Sequence, residues 1–349
     1  MPSRLIIESL AMNKRVLITK HGGTDALALR EDAAPDPGPG EVRVKILATG
    51  VAFADVLMRL GLYRPVPPLP YAPGYDVVGI VDKNGPGASK YPLGRTVAAL
   101  TVTGGYAQYI SLAESELAPV PDGVDPAEAV CLVLNYTTAW QLLHRAANPS
   151  AGAGVLIHAA AGGVGTALLE LGRIAGYKMY GTASKRKHEV VEGLGGVPID
   201  YRSEDFLARI RELCPQGVDL ALDPIGGANW WRSYRALRSG GTLLVYGISA
   251  AIGPNGASKL KAAGSFFSLG LMKLIPDGKS AAFYAITTMK KQHPDWFRED
   301  LDTLLHMLAR KQLRPLIAAR LPLSEARRAH RLLETGETTG KLVLLPQEQ

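Results

Sequence analysis

The segment VLIHAAAGGVGTALLELGRIAG (155–176) decides the fold, because it joins a short apolar run to a glycine-rich turn and then to an amphipathic pattern. The apolar run predicts a buried strand. After the turn, apolar residues at spacings of three and four predict a helix with one apolar face: Val164, Leu168, Leu171 and Ala175. Strand, glycine turn and helix in this order begin a βαβ unit.

The turn itself is close to the dinucleotide-binding fingerprint, with Ala160 at the first glycine position, followed by Gly162 and Gly165. A glycine at 162 lets the backbone approach a pyrophosphate, and Gly165 lets the helix pack on its strand. Free N–H groups at the start of the helix attract the anion. An ordinary tight turn is the alternative interpretation. We take Ala160, Gly162, Gly163, Val164 and Gly165 as a cofactor-binding turn.

The rest of the second half repeats the alternation of strand and helix. Strands are predicted near 179–182, 197–199, 219–223 and 242–246, and helices through about 194, at 204–214 and at 229–238. Such alternation predicts right-handed crossovers and a doubly wound parallel sheet, so the fold class is α/β. The segment 252–290 is too irregular to assign.

The first half, from about residue 14 to 121, is β-rich. Short apolar or period-two runs at 42–47, 76–81, 95–100 and 106–110 are separated by turn-forming segments such as PDPGPG and PVPPLP. This pattern predicts a small, mostly antiparallel barrel or sandwich. Beyond about residue 294, helices at 298–310 and 324–334 and a strand at 341–345 are too short for a core of their own. We expect them to dock on the first half.

Length and composition exclude several classes of protein. A chain of 349 residues fits about two globular units, and 47% hydrophobic with 20% charged residues argues against long disorder. No apolar stretch reaches the ~18 residues of a membrane span, and two cysteines suit a reducing, cytoplasmic setting. The net charge of +7 suits a small anionic ligand and is too scattered for nucleic acid. Glu8 interrupts the first apolar run, so we expect no targeting signal in residues 1–11.

A basic run follows the second strand of the βαβ unit, where NAD-binding proteins place a ribose-binding carboxylate. Here the chain has Ser184, Lys185, Arg186 and Lys187, and the first acid is Glu189. Three cations at the start of a helix oppose its dipole unless an anion lies among them. A 2′-phosphate would be that anion, so NADPH is the expected cofactor. A solvated basic face is the alternative.

These residues together resemble the zinc-independent medium-chain dehydrogenase/reductases, specifically the quinone oxidoreductase-like group with its vesicle amine transport protein branch. The resemblance spans nearly the whole chain after about Lys14. It rests on GVAFADVLMRLGLY (50–63), PGYDVVGIV (73–81), GGYAQYI (104–110), NYTTAWQLL (135–143), HAAAGGVGTALLELGR (158–173), YGTASKRKHE (180–189), PIDYRSEDF (198–206), GVDLALDPIGG (217–227) and TGKLVLLP (339–346).

The resemblance implies a GroES-like catalytic domain formed by residues 1–136 and 288–349, an inserted Rossmann NADP-binding domain at 137–287, and a homodimer. It also implies that Thr138 and Tyr63 face the nicotinamide and that Lys187 and Tyr201 hold the 2′-phosphate. Three further residues would lie close to the cofactor: Gly247, Gly340 and Lys341. Structural alternatives stay open for Tyr63, at a domain interface, and for Tyr201, at a strand end.

The departures from the family pattern bear on the chemistry. Zinc-dependent relatives would have Cys at Ala52, His and Glu at Tyr75 and Asp76, and a cysteine-rich lobe, so no metal is expected. Many quinone-reductase relatives have Asn at Ala52, and its absence removes a hydrogen-bond donor. Without a metal to polarise an isolated carbonyl, the expected substrate is a quinone or another α,β-unsaturated carbonyl. NADPH would transfer a hydride to it, with Tyr63 or a water as proton donor.

Two other functions, and the roles of several residues, stay open at this stage. One alternative is an NADP(H)-binding protein with little catalysis that acts through partners or membranes; the other is a Rossmann methyltransferase. Asp55 is either an acid or base near the cleft or a group that caps its helix or pairs with Arg59. His158 is expected to be a satisfied core histidine, and the pair Phe266 and Phe267 to line the cleft or a subunit contact.

Overall fold

Two large β-sheets organise the protein, whose computed structural model describes residues 11–253 and 256–348. The expectation about residues 1–11 therefore lies almost wholly outside the described residues. The strands are β1 Met12–Ile18, β2 Leu27–Ala33, β3 Glu41–Val51, β4 Asp76–Asn84, β5 Thr96–Leu100, β6 Tyr109–Ala113, β7 Ala118–Pro119, β8 Gly154–Ile157, β9 Lys178–Ala183, β10 Gly196–Asp200, β11 Val218–Asp223, β12 Leu237–Val245, β13 Ile252–Gly253, β14 Gly256–Ala257, β15 Ser280–Phe283, β16 Ile317–Pro322 and β17 Lys341–Leu345.

The helices lie between these strands and after the last strand of the second sheet. They are α1 Phe53–Arg59, α2 Pro126–Cys131, α3 Thr137–Trp140, α4 Gly163–Ile174, α5 His188–Gly193, α6 Phe206–Leu213, α7 Ala228–Ala236, α8 Lys259–Met272, α9 Ile286–Gln292, α10 Pro294–Ala309 and α11 Ala326–Glu334. Two π-helical stretches, Leu132–Tyr136 and Gln141–Ala147, flank α3. Within the described ranges, no helix has the length and apolar character needed to cross a bilayer.

The first sheet combines both ends of the chain. Its strand order is β16-β17-β3-β4-β5-β7, and β6 also pairs with β3. Strand β17 runs antiparallel to β3, with Val343 opposite Gly50. The tail therefore docks on the first half, as its short length predicts. Only β16 is parallel to its neighbour, and it lies at the edge of the sheet.

The second sheet has the order β10-β9-β8-β11-β12-β15, and all its strands are parallel. In order of appearance this is 3-2-1-4-5-6, the doubly wound order of dinucleotide-binding domains. The order reverses between β8 and β11, so the glycine turn after β8 opens at the crevice where such folds bind ligands. The predicted α/β class is confirmed, with a GroES-like domain beside it. The domain boundaries at 136 and 287 stay a prediction.

Two elements of the irregular segment 252–290 have no clear sequence signal. Helix α8 is apolar on both sides, because it buries Leu269 and Met272 while Phe267 is 70% exposed. Its sequence therefore lacks the apolar spacing of three and four residues that marks a helix with one buried face. Strand β15 has only four residues and lies at the edge of the sheet. Phe266 meets Phe283 of β15 edge to face, with ring centroids 5.1 Å apart.

A buried polar cluster holds α1 against α11 in the first domain. Arg59 is fully buried and pairs with Glu334, with 2.5 Å between Nη2 and Oε1. Its Nε donates to Nδ1 of His330 at 3.3 Å. Burial, together with the Arg59 cation, lowers the pKa of His330 to about 3, so the ring is neutral. Its Nε2 hydrogen then points to the Tyr106 hydroxyl, 3.2 Å away.

We expect Arg59→Ala to lower the free energy of unfolding by about 3–5 kcal/mol, because Glu334 loses its cation and the buried His330 ring loses its donor. The matched control is Arg328→Ala on helix α11, which carries Glu334 and His330. Arg328 pairs with Glu325 at the surface, so its loss should cost under about 1 kcal/mol. Urea unfolding followed by circular dichroism measures both; equal losses would contradict the assignment.

Candidate active site

The glycine turn is shaped by close backbone contacts. A Cβ on Gly165 would lie 2.4 Å from the Ala159 carbonyl oxygen, so only glycine lets α4 pack this closely on the end of β8. Gly162 begins the helix, and its carbonyl accepts the Thr166 N–H at 2.9 Å. Ala160 is buried and its N–H donates to the Thr182 carbonyl. The backbone N–H groups at the start of α4 thus face the crevice between β8 and β11.

Gly163 is required for a different reason, which the sequence did not reveal. A Cβ at Gly163 would lie 2.1 Å from Nδ2 of Asn135. Asn135 is buried in the π-helical stretch before α3, and it brings the first domain's helix against the turn. Asn135 is the first residue of the NYTT motif, but nothing in the spacing of that motif predicts its contact with Gly163. The neighbouring Val164 is half-buried and packs on the main core.

The end of the chain also reaches the turn. The Gly340 N–H donates to the Ala161 carbonyl at 2.9 Å, and Gly340 forms a parallel bridge with Gly162. Lys341 follows, and its ammonium pairs with Asp76 Oδ2 at 2.7 Å. In the structure the Lys341 side chain is buried and bound to a carboxylate. Its predicted place at the cofactor stays a prediction.

The Lys341 pair is part of a connected buried group. Asn135 Oδ1 lies 3.4 Å from the same ammonium, and Asp76 Oδ1 accepts the Gly50 N–H at 3.0 Å. These contacts join β3, β4, β17 and the π-helical stretch at one point beside the glycine turn. Both charges are at most 3% exposed, and each has a second polar partner. A buried charge is tolerated only in such a satisfied group.

The basic cluster, defined as Lys185, Arg186, Lys187 and Arg202, lies at the ends of β9 and β10. Ser184, before it, is buried. Lys187 donates to the Gly336 carbonyl at 2.9 Å and also to the Thr338 carbonyl. Burial lowers the pKa of Lys187, and the nearby Arg186 and Arg202 cations lower it further. The cations therefore crowd one another, which an anion would relieve.

Tyr201 lies beside this cluster, 55% exposed, with the Arg202 guanidinium 5.8 Å from its ring centre. The nearest strand-end acid, Asp200, belongs to β10 and is held by its own loop. It accepts the Ser203 hydroxyl at 2.8 Å and the Arg202 N–H at 3.2 Å. These contacts, with the Ser203 hydroxyl the largest, lower the pKa of Asp200. The cluster thus fits a phosphate better than a ribose diol.

Both residues predicted to face the nicotinamide, Tyr63 and Thr138, carry hydroxyl groups. Tyr63 and Tyr75 bring their hydroxyl oxygens within 2.5 Å, and their rings meet edge to face. Tyr75 is 3% exposed and Tyr63 half-buried. Thr138 is buried, and the Tyr284 hydroxyl donates to Gln141 Oε1 at 2.8 Å. Hydroxyls can orient or protonate a substrate oxygen but cannot polarise it as a metal does.

Gly247 lies just beyond β12, where close packing again requires glycine. A Cβ there would lie 2.8 Å from the Pro224 carbonyl oxygen. Tyr246, before it, donates its N–H to the Asp223 carbonyl at 3.1 Å. The loops after β11 and β12 are therefore held together at the same edge of the sheet as the glycine turn. The predicted place of Gly247 beside a cofactor is compatible with this position and stays a prediction.

Asp55 caps helix α1 and ties two loops together. Its Oδ2 accepts the Ala52 N–H at 2.8 Å and its Oδ1 accepts the Gly74 N–H at 3.0 Å. Burial raises the pKa of Asp55 to about 7, against the lowering effect of these two donors. Arg59 pairs with Glu334 instead, so the capping alternative is the one the structure shows. In the ranges the structure covers, no three His, Cys, Asp or Glu side chains form a metal-binding group.

Three remaining residues serve packing or the surface. His158 is buried, bonds Thr182 and Ser233, and has its pKa lowered by burial, as expected of a core histidine. Phe266 and Phe267 lie on α8, 42% and 70% exposed.

Known proteins resemble the chain along nearly all of its length. A family model described as an alcohol dehydrogenase GroES-like domain matches residues 38–122, and one described as a zinc-binding dehydrogenase matches residues 194–344. The synaptic vesicle membrane protein VAT-1 homolog of Rattus norvegicus is 31% identical over 338 residues, 95% of this chain and 83% of that protein. Human quinone oxidoreductase is 28% identical over 338 residues, which are 95% of this chain and 97% of that protein.

Solved structures agree with this likeness. Escherichia coli quinone oxidoreductase complexed with NADPH superimposes with a TM-score of 0.86 at 27% identity, over 96% of this chain and all of that one. The human VAT-1 homolog-like protein gives a TM-score of 0.83 at 26% identity, over 98% of this chain and all of that one.

We expect Lys341→Met to lower the free energy of unfolding by about 3–5 kcal/mol, because Asp76 is left as an unpaired buried charge. The double variant Asp76→Asn/Lys341→Met should recover at least half of this loss, since the amide stays neutral and its oxygen still accepts from Gly50. Lys83→Met, which breaks the exposed pair with Asp36, is the control and should cost under about 1 kcal/mol. A double variant as unstable as Lys341→Met alone would refute the pairing argument; chemical unfolding measures all three.

Proposed function

The chain belongs to the zinc-independent, quinone oxidoreductase-like group of the medium-chain dehydrogenase/reductases, and we propose that it reduces quinones or other α,β-unsaturated carbonyls with NADPH. The observation that carries the cofactor assignment is the basic cluster at the end of β9, where residues 184–188 include no carboxylate for a ribose diol. The proposal of a conjugated acceptor rests on the hydroxyl-lined crevice and on the family likeness.

The fit of the dinucleotide rests on the glycine turn and the basic cluster. Gly162 and the N–H groups that open α4 would hold the pyrophosphate. Lys185, Lys187 and Tyr201 would hold the 2′-phosphate, with Arg202 as a further cation that sequence reasoning did not assign. Thr138 and Tyr63 would lie at the nicotinamide end, with Gly247 beside them. When bound, NADPH supplies the hydride.

The chain's own residues have a modest chemical task in this proposal. Hydride addition to a conjugated carbonyl spreads the new negative charge to the oxygen, so the protein has to position the acceptor and protonate it. Positioning alone can contribute several kcal/mol to lowering the barrier. Tyr63, half-buried and hydrogen-bonded to Tyr75, is the side chain suited to hold or donate a proton there.

We also propose a cytoplasmic homodimer. Strand β15 is the outer strand of the second sheet, and apolar side chains beside it are exposed: Phe283 at 44%, Phe267 at 70% and Leu260 at 84%. An open strand edge next to apolar surface supports pairing with a second copy. Sedimentation velocity of the full chain should give twice the monomer mass; a monomer at micromolar concentration contradicts this part of the proposal.

The enzyme proposal is tested by NADPH oxidation with 9,10-phenanthrenequinone, 1,4-benzoquinone and a few enones. Turnover of at least one acceptor is the expected result. The second candidate function is an NADP(H)-binding protein with little catalysis, favoured by Ala52, which offers no side-chain donor. Tight NADPH binding in calorimetry without turnover of any acceptor would favour that candidate. No binding of either pyridine dinucleotide would overturn both.

We expect Lys185→Ala/Lys187→Ala to raise the KM for NADPH roughly 10- to 100-fold, the range for lost hydrogen bonds to a charged group, and to change the KM for NADH by under about twofold. Lys178→Ala is the control, because Lys178 is exposed at the opposite end of β9. Initial rates with each cofactor give the values. An equal rise for both cofactors would remove the 2′-phosphate from the assignment.

A further inference from the structure

Tyr75 occupies the position where zinc-dependent relatives of the family have a ligand histidine, and the structure gives it specific contacts. Its hydroxyl lies 2.5 Å from that of Tyr63. Its backbone is fixed on the other side, because the Gly74 N–H is held by Asp55. Tyr75 is therefore a buried side chain whose polar end is directed at the proposed proton donor.

The hydrogens of this group can be ordered. Each hydroxyl has one hydrogen to donate, and the Tyr75 and Tyr63 hydroxyls share one hydrogen bond. Tyr63 is the more exposed of the two tyrosines. If Tyr75 donates to Tyr63, the Tyr63 hydrogen is left free to point into the crevice.

We propose that Tyr75 is a positioning residue that donates its hydroxyl hydrogen to the Tyr63 oxygen, so that the Tyr63 hydrogen is presented to the substrate oxygen. This inference rests on the proposed function. In the reaction, the substrate carbon gains a hydride from the reduced nicotinamide, the π electron pair moves to the substrate oxygen, and that oxygen takes the Tyr63 proton. The negative charge left on Tyr63 is stabilised by the Tyr75 hydrogen bond until water returns a proton.

The environment of Tyr75 keeps it a donor throughout. Burial raises the pKa of Tyr75 far above its ordinary value, and the neighbouring Tyr63 and Asp55 raise it further. Tyr75 therefore does not give up its own proton when Tyr63 becomes negative. A buried neutral donor aimed at the atom where charge develops is the arrangement that stabilises such a charge most effectively. With alanine at position 52, the tyrosine pair is the polar group that the chain provides at this place.

A double-variant cycle tests the inference in the full-length protein with NADPH. Tyr75→Phe should lower kcat about tenfold, the value of one hydrogen bond to a charged group, and leave the KM for NADPH unchanged. In the Tyr63→Phe background, Tyr75→Phe should have no further effect, because Tyr75 acts through Tyr63. Tyr71→Phe is the matched control: Tyr71 is also buried nearby, but its hydroxyl has no partner among the described residues, so its loss should not change kcat.

A binding measurement gives a readout without turnover. 4-Nitrophenolate carries an oxyanion like that of the reduced substrate, and its absorbance reports its binding to the protein loaded with NADP⁺. Its Kd should rise about tenfold in Tyr75→Phe and stay unchanged in Tyr71→Phe.

The results separate the two claims. If Tyr75→Phe costs as much in the Tyr63→Phe background as in the wild type, or if the Kd for 4-nitrophenolate is unchanged, the role of Tyr75 is overturned. If the wild type binds NADPH and reduces none of the acceptors, the proposed function fails instead. The nitrophenolate measurement then still decides whether Tyr75 directs Tyr63.

Discussion

The buried ion pair between Lys341 and Asp76 is the contact on which the rest of the site depends. It joins the last strand to the fourth strand, and through Asn135 it reaches the glycine turn of the other domain. A buried pair of charges adds little to the free energy of unfolding compared with an apolar pair of the same shape. Removing one of the two charges, however, is strongly destabilising. The value of the pair here is geometric, because it admits one arrangement of the three segments that meet at the crevice.

The same region shows how one carboxyl group holds two loops together. Where zinc-dependent relatives have cysteine and histidine, this chain has Ala52 and Tyr75, and Asp55 binds the backbone N–H of Ala52 and of Gly74. The carboxylate therefore organises the two loops that a zinc ion would otherwise link. In the proposed function the chemistry rests on a pair of phenol hydroxyls, which suits a substrate whose own conjugation carries most of the developing charge.

The sequence predicts the parts of the fold that local patterns control. The alternation after 155, the glycine turn and the final strand Lys341–Leu345 follow from periodicity and turn chemistry, and the structure confirms them. Helix α8 and strand β15 were missed because one is apolar on both faces and the other has four residues. The roles of Asn135 and Lys341 depend on partners 206 residues apart, and no local pattern records such a contact. The cofactor and catalytic assignments of Lys187, Tyr201, Thr138 and Tyr63 stay predictions.

The position of β17 beside β3 has a consequence for how the chain acquires its structure. The second sheet comes from one continuous stretch, β8 to β15, so it can assemble as soon as that stretch has left the ribosome. The first sheet lacks an interior strand until residues 341–345 are made, and pairing over so long a separation is slow. During synthesis residues 49–51 of β3 therefore stay unpaired after the rest of the strand has met β4 and β6, and an unpaired strand edge is a site of aggregation.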